Sequence, residues 1–138
     1  MNSTKDKYFL DSNILIYAHT NIDLQKRLIA QNLGNLPETY ISTQVCTEFV
    51  NAMRKKFKID WEIIEELLTN IKSNFPIHTN TENTISDAIQ IAKQYHTSWY
   101  DAVIVSAALE SGCTILYSED FTDGQIIDGI LTIQNPFL

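Results

Sequence analysis

Short apolar segments rich in strand-forming residues recur along the chain, each bounded by polar or turn residues. Four of them are well defined, YFL at 8–10, TYIS at 39–42, TILY at 114–117 and LTIQ at 131–134, and PIHT at 76–79 is a weaker fifth. Runs of β-branched and aromatic residues between turn residues are typical of strands. The pattern therefore predicts about five short β-strands.

The segments between these strands repeat apolar residues every three or four positions, which places them on one face of a helix. This spacing predicts one or two helices within residues 12–33 and further helices over residues 43–57, 60–73 and 99–112. Alternating strands and helices are typical of an α/β fold with a mostly parallel central sheet flanked by helices. No linker, low-complexity tract or long-period repeat interrupts the pattern, so we expect one domain over residues 1–138.

Several helix ends and turns have recognisable sequence signals. Thr79 followed by Glu82 fits a capping box for a helix that continues to Ala92. Gly112 suits the C-terminal end of the helix before TILY, and the two Asp-Gly pairs of DGQIIDG at 123–129 predict two turns.

The composition, with 44% hydrophobic and 20% charged residues among 138, is ordinary for a globular protein large enough to bury a core. The apolar runs are only a few residues long, whereas a membrane-spanning helix needs about 20 apolar residues. The first residues, MNSTKDKYF, lack the apolar centre of a signal peptide. We therefore expect a cytoplasmic protein without a membrane segment.

Neither the cysteines nor the histidines have the spacing of a metal site. Cys46 and Cys113 lie 67 residues apart without a CxxC motif, which favours reduced core thiols over a disulfide or a zinc site. For His19, His78 and His96 we expect structural or solvent-exposed roles. Carboxylates are therefore the main candidates for chemistry.

The formal net charge of −7 argues against binding of nucleic acid through a positive field over the whole protein. All ten Lys and Arg residues lie between Lys5 and Lys93, while residues 94–138 carry six acids and no base. This asymmetry fits either an acidic pocket beside a basic rim or an ordinary solvated surface.

Carboxylates follow two of the predicted strands, and another lies within an apolar helix. Asp11 comes directly after YFL, and Ser118-Glu119-Asp120 follows TILY. The carboxyl ends of strands in an open parallel sheet form the rim where ligands bind. Asp101 shares a helical stripe that should point inward with Ile104, Val105 and Ala108. A carboxylate there must be protonated, paired or bound to a cation, because an isolated buried charge is costly.

Four short motifs occur in order along the chain: FLDSNILIYA, TEF, WYDAVIVSAAL and LYSEDF. Together they resemble the PIN-domain family of metal-dependent nucleases, and most closely its small bacterial toxins of the VapC type. The resemblance extends from Tyr8 to the closing IQNPF. It implies a PIN-like three-layer fold with a mostly parallel sheet of about five short strands.

The resemblance also implies roles for individual residues. It assigns the four family acids to Asp11, Glu48, Asp101 and Asp120, and supporting polar positions to Asn13 and Ser118. Asp123 is the second choice for the fourth acid, and Glu119 is expected to point away from the site. On the helical pattern alone, Glu48 lies on a polar face and would be an exposed glutamate.

These assignments imply one or two Mg²⁺ or Mn²⁺ ions, held chiefly by Asp11, Asp101 and Asp120, with Glu48 binding directly or through water. Such a site activates a water that hydrolyses an RNA phosphodiester bond. The resemblance further implies a cognate antitoxin and a homodimer. Extra contacts to the RNA backbone are expected from a basic cluster, although cations at a helix C-terminus are also common without such a role. The basic cluster consists of Arg54, Lys55, Lys56 and Lys58.

Two other functions fit parts of the sequence. FLDSN also resembles the nucleophilic aspartate of an aspartate-based phosphotransfer domain, but Asn13 breaks the Asp-x-Asp pattern of the phosphatases. A receiver domain lacks support because no acid pair follows the first strand and no lysine lies beyond residue 93. A non-catalytic PIN-like scaffold that only binds a partner or RNA is the third alternative, and the four acids argue against it.

Overall fold

The computed structural model describes residues 5–138, and residues 1–4, which begin the MNSTKDKYF segment, lie outside the described residues. The elements in chain order are β1 Tyr8–Leu10, α1 Ser12–Ala18, α2 Leu24–Leu33, β2 Thr39–Ser42, α3 Thr43–Lys55, α4 Trp61–Asn74, β3 Ile77–His78, α5 Glu82–Tyr95, α6 Trp99–Glu110, β4 Ile115–Tyr117, β5 Ile126–Ile127 and β6 Leu131–Gln134.

Within the described residues the strands form one six-stranded sheet in the order β3-β2-β1-β4-β6-β5. All neighbouring strands are parallel except β5 and β6. Phe9 of β1 lies opposite Tyr40 on one side and Leu116 on the other. The predicted α/β fold, with a mostly parallel sheet flanked by helices, is confirmed.

The strand order reverses at the centre of the sheet. From β1 the chain proceeds outward through β2 to β3, and it then returns to β4 on the other side of β1. Ligand sites in open α/β sheets form at such a reversal, outside the carboxyl ends of the strands. Asp11 and Ser118 directly follow the two strands that meet there, β1 and β4.

The DGQIIDG segment differs from the prediction of two turns alone, because a two-residue strand, β5, lies between them. Ile126 and Ile127 pair antiparallel with Thr132 and Leu131 of β6. The turns are present, since Gly124 and Gly129 have φ angles of +85° and +67°. A strand this short is defined by its partner across the turn and leaves no periodic signal in the sequence.

Helix α6 is buried on all sides rather than along a single stripe. Its residues from Ala102 to Ala108 are all buried, including Ser106, whose hydroxyl donates to the Thr84 carbonyl at 2.8 Å. The strands β1, β4 and β6 contribute further buried apolar side chains to the same core. Asp101 precedes this buried run and is only partly buried, so the predicted inward stripe holds for its apolar members alone.

The predicted capping box at Thr79 and Glu82 is wrong, and the box lies two residues further on. Thr81 is the N-cap of α5, its hydroxyl accepts from the Thr84 N–H at 3.4 Å, and its N–H donates to the Thr84 hydroxyl at 2.9 Å. The Thr84 side chain is fully buried and also donates to Glu110 of α6 at 2.5 Å. This contact between helices fixes the start of α5 at Glu82.

The glycine predicted at the end of α6 has the expected role. Gly112 adopts a φ of +75°, and its N–H donates to the Leu109 carbonyl while the Cys113 N–H donates to the Ala108 carbonyl, both at 3.0 Å. This pair of bonds is the Schellman arrangement, which closes a helix and turns the chain into the next strand.

Both cysteines are free thiols in the described part of the chain, and burial raises the pKa of Cys113 to about 12. His78 lies between Glu110 and Asn80, whereas His19 packs on the Phe49 ring. None of the helices in residues 5–138 is long and apolar enough to cross a membrane.

Candidate metal and nuclease site

Asp11 lies where β1 ends and α1 begins, and its carboxylate is held at both oxygens. The side chain is 3% exposed. One oxygen accepts from the Ser12 N–H at 2.7 Å and caps α1, and the other accepts from the Ser118 hydroxyl at 2.7 Å. The pKa of Asp11 is raised to about 7, chiefly by burial and also by the charges of Glu48 and Asp120. The hydrogen bonds from Ser118 and Ser12 act in the opposite direction and lower it.

Ser118 and Asn13 connect Asp11 to Asp120. The Ser118 hydroxyl accepts from the Asp120 N–H at 3.1 Å, which makes a tight turn after β4. The Asn13 amide nitrogen donates to an Asp120 carboxylate oxygen at 3.0 Å and to the Ser118 hydroxyl at 3.4 Å. The Asn13 amide oxygen is buried without a hydrogen-bond partner among the described residues. The polar residues after β1 and β4 therefore form a single network.

Glu48 and Asp101 come from two helices that Gln44 joins. The Gln44 amide nitrogen donates to the Glu48 carboxylate at 3.3 Å and to the Tyr100 carbonyl at 3.1 Å. Tyr100 immediately precedes Asp101, so this side chain connects the acid-bearing parts of α3 and α6. Glu48 is thus half-buried and hydrogen-bonded rather than a fully solvated residue on a polar helix face.

Asp101 lies in the first turn of α6, where the Ser98 hydroxyl caps the helix by accepting from the Asp101 N–H at 3.3 Å. Partial burial raises the pKa of its carboxyl group, and the charge of Asp120 raises it further, while Ser98 acts in the opposite direction. Asp101 and Asp120 line the same cleft. Each of the four acids therefore has electrostatic or hydrogen-bonding contact with the network at the ends of β1 and β4.

The other acids of the last loop have different partners. Glu119 accepts from the Tyr17 hydroxyl at 2.6 Å and pairs with Lys26 at 3.0 Å, so it faces α1 and α2. Asp123 accepts from the Asn135 N–H at 2.8 Å and ties this loop to the end of β6. Asp120 is accordingly the acid of this loop that contacts the Asp11 network.

No local pattern predicts the contacts of Tyr17 and Lys26 with Glu119, because they join residues about 100 positions apart. The contact of Gln44 with Glu48 can be predicted locally, because Gln44 precedes Glu48 by four residues and so lies on the same helix face. A polar residue one helical turn before a candidate acid therefore indicates a hydrogen-bond partner for that acid.

The basic cluster, Arg54, Lys55, Lys56 and Lys58, lies at and just beyond the C-terminal end of α3. Arg54 stacks over the Trp61 ring at 5.0 Å and donates to the Ile59 carbonyl at 3.2 Å. Arg54 therefore has a structural role in joining α3 to α4. Six residues of helix separate it from Glu48, a rise of about 9 Å.

The donors at the site suit a hard cation. Within residues 5–138, no three carboxylate, histidine or cysteine side chains lie close enough together to enclose an ion on their own. Mg²⁺ commonly keeps several waters and takes only one or two carboxylates. The buried Asn13 amide oxygen is free to accept a donor or bind a cation, and a nearby positive charge would favour the ionised form of Asp11, whose pKa is raised chiefly by burial. Oxygen donors of this kind fit Mg²⁺ or Mn²⁺ and do not fit a soft metal.

Comparison with solved structures identifies the same fold in several toxin–antitoxin proteins. A toxin–antitoxin complex from Klebsiella pneumoniae is 20% identical with a TM-score of 0.70, and the match covers 94% of this chain and 98% of that one. VapC20 of Mycobacterium tuberculosis, a toxin that cleaves the sarcin–ricin loop, is 13% identical with a TM-score of 0.67 over 83% of this chain and 92% of that one. VapBC2 of Rickettsia felis, solved with a DNA fragment from its promoter, is 19% identical with a TM-score of 0.65 over 93% and 97% of the two chains.

At these identities the likeness to the solved structures shows the fold. A search of curated protein sequences gave no significant match. The model of the PIN domain family matches residues 8–122, which include β1 with Asp11, the Glu48 helix, Asp101 and Asp120. Because this match spans most of the sequence, the chain belongs to the PIN domain family.

Proposed function

We propose that this protein is a divalent-metal-dependent endoribonuclease that hydrolyses RNA phosphodiester bonds and acts as the toxin of a toxin–antitoxin pair. The observation that carries the proposal is the network at the ends of β1 and β4, in which a buried Asp11 is bonded through Ser118 and Asn13 to Asp120. The nearby charges of Glu48 and Asp120 repel the buried Asp11 carboxylate, and a bound cation offsets that repulsion. Membership of the PIN family supports the same activity.

Asp11, Asp101 and Asp120 would hold the ion, partly through the waters that Mg²⁺ keeps, with Glu48 binding directly or through water. Mg²⁺ or Mn²⁺ supplies a water of lowered pKa and neutralises charge on the phosphate. The chain itself positions the ligands: Ser12 and Ser118 fix both Asp11 oxygens, Asn13 fixes Asp120, and Gln44 fixes Glu48. These hydrogen bonds hold Asp11, Asp120 and Glu48 in place before the ion binds.

An RNA substrate is supported by the similar fold of VapC20, which cleaves the sarcin–ricin loop. With a net charge of −7, the protein repels phosphate until a cation occupies the acidic site. We further propose that the basic cluster contributes contacts to the RNA backbone. Charge reversal at Lys55 and Lys56, which leaves the Arg54 contacts intact, should then weaken RNA binding.

The proposed partners are a cognate antitoxin and a second copy of this chain. Several proteins of the same fold are parts of toxin–antitoxin complexes. Large apolar side chains are exposed on α2 and α4, among them Leu24 at 65%, Leu28 at 64% and Trp61 at 55%. Protein contact surfaces contain exposed apolar side chains of this kind, so α2 and α4 are the candidate surfaces for these partners. Light scattering of the purified chain tests the dimer, and co-purification with the product of an adjacent gene tests the antitoxin.

The proposed activity is tested by incubating the protein with a mixed pool of tRNA and ribosomal RNA in Mg²⁺, Mn²⁺ or chelator. Asp101→Asn is the inactive variant, and Asp87→Asn, an exposed acid of α5, is the matched control. We expect discrete metal-dependent fragments from the wild type and the control and none from Asp101→Asn. Full cleavage in excess chelator would contradict the metal requirement.

Calorimetric titration with Mg²⁺ and Mn²⁺ separates a nuclease from a non-catalytic scaffold. A nuclease binds the ion through a site that is lost in Asp11→Asn and Asp101→Asn. Absence of both metal binding and cleavage would favour the scaffold.

A further inference from the structure

A cleft of about 430 Å³ adjoins two of the four acids. One wall is the junction between α5 and α6 at residues 95–97, and the other is the loop after β4 at residues 121–125. Asp101 and Asp120 also line it. The volume lies within the range of about 300–1,000 Å³ that is common for small-molecule sites. The larger cavity between α1, α2 and α4, by contrast, is lined by none of the four acids.

The lining of this cleft combines an aromatic surface with a few hydrogen-bonding groups. Phe121 is half-buried, packs on the core and lines the cleft. Thr97 and Gln125 also line the cleft, and the Thr97 hydroxyl oxygen is buried without a hydrogen-bond partner among the described residues. An aromatic face beside hydroxyl and amide groups is the arrangement by which proteins bind unstacked nucleobases.

The position of the cleft determines which part of a nucleic acid it would meet. On the other sides of the acids, Asn13 of α1 is bonded to Asp120, and Gln44 of α3 joins Glu48 to Tyr100. The cleft is therefore an open volume directly beside Asp101 and Asp120. A nucleotide whose phosphate lies at these acids has its neighbouring base within reach of the cleft.

We propose that the cleft binds one nucleobase of the RNA, namely the base next to the phosphate that is cleaved. The base stacks on Phe121, while Thr97 and Gln125 bond its edge. This assignment rests on the proposed nuclease function and narrows its substrate to unpaired RNA, because a base within a helix is stacked and cannot enter. It also makes residues 97, 121 and 125 determinants of which nucleotide lies at the cleavage site.

The test uses nuclear magnetic resonance of the full chain titrated separately with the four ribonucleosides at millimolar concentration, without metal. Nucleosides carry the base but no phosphate, so their binding is independent of the acids and of any ion. We expect chemical-shift changes at the backbone amides of residues 95–97 and 121–125, larger for some bases than for others.

Three variants examine the separate contacts. Phe121→Leu should weaken nucleoside binding about tenfold, the loss expected when stacking on one ring is removed. Thr97→Val and Gln125→Met should reduce the preference between bases, while Gln90→Met on the exposed surface of α5 should change nothing. Thermal unfolding of each variant shows whether it is folded, and the Gln125 variant remains informative if Phe121→Leu is not.

The inference is overturned if no nucleoside changes the chemical shifts of these amides, or if the changes occur at residues of the cavity between α1, α2 and α4. It is also overturned if Gln125→Met and Thr97→Val bind the nucleosides as the wild type does. RNA cleavage is scored separately on the same samples. Cleavage without nucleoside binding at the cleft would reject the base site and leave the nuclease proposal standing. Nucleoside binding at the cleft without cleavage would support a base site but would reject the nuclease proposal, and with it the statement that the base adjoins a cleaved phosphate.

Discussion

Replacing Asp11 with asparagine should stabilise the metal-free protein at neutral and alkaline pH. The side chain is 3% exposed, and burial together with the nearby acids raises its pKa from 3.8 to about 7. Between these two values the folded protein keeps the Asp11 proton while the unfolded chain releases it. The free energy of unfolding therefore falls as the pH rises through this interval.

The size of the effect follows from the pKa difference. A shift from 3.8 to about 7 corresponds to about 4 kcal/mol of destabilisation once the pH exceeds 7, at 1.36 kcal/mol per pKa unit. Asparagine is neutral and nearly isosteric, and its amide oxygen can still accept from the Ser12 N–H and cap α1. We therefore expect the free energy of unfolding of Asp11→Asn to exceed that of the wild type by up to about 4 kcal/mol at pH 8. Near pH 4 the two values should be equal.

Urea unfolding followed by circular dichroism, in chelator and at constant ionic strength from pH 4 to pH 8, measures this difference. The comparison between variant and wild type isolates Asp11, because every other carboxylate titrates in both proteins. Asp87→Asn on the exposed surface of α5 should show no such pH-dependent gain. A difference that does not grow between pH 4 and pH 7, or an Asp11→Asn protein less stable than the wild type at pH 8, would refute the reasoning.

Saturating Mg²⁺ should raise the thermal unfolding midpoint of the wild type and leave that of Asp11→Asn unchanged, because only an ion bound to the folded state stabilises it; equal shifts in both proteins would place the ion elsewhere. Gln44→Leu should weaken Mg²⁺ binding about tenfold in calorimetry, as expected when a partner of a ligand is lost, whereas Gln90→Leu should not. Unchanged affinity would mean that Glu48 needs no support from Gln44. Gly112→Ala should cost about 1–2 kcal/mol in urea unfolding, because alanine is strained at a φ of +75°, and a neutral effect would contradict that strain.

The parts of the fold that the sequence predicts are those governed by local pattern. The apolar runs that form β1, β2, β4 and β6 have the predicted bounds or differ by one residue, because each lies between polar or turn residues. The placement of Asp11 and Ser118 at one rim follows in turn from the parallel sheet, since both come directly after a strand.

The features that the sequence does not predict depend on contacts between distant residues. The start of α5 at Glu82 depends on the buried Thr84 and its bond to Glu110, 26 residues away. The family resemblance implies that Glu119 points away from the site, but it does not predict the contact that holds Glu119, which is with Tyr17, more than 100 residues earlier. It likewise ranks Asp120 before Asp123 without predicting the bond of Asp120 to Asn13, 107 positions earlier.

The turn after β4 is fastened to α1 at two places one helical turn apart, Asp120 on Asn13 and Glu119 on Tyr17. The wall at residues 121–125, which we propose binds a base, begins only after this double anchor. Changes in the length or composition of that wall can therefore occur without displacing the carboxylates. Under the proposed function, the choice of target and the chemistry of cleavage would then be free to diverge independently, through remodelling of one short loop while the acidic network stays as it is.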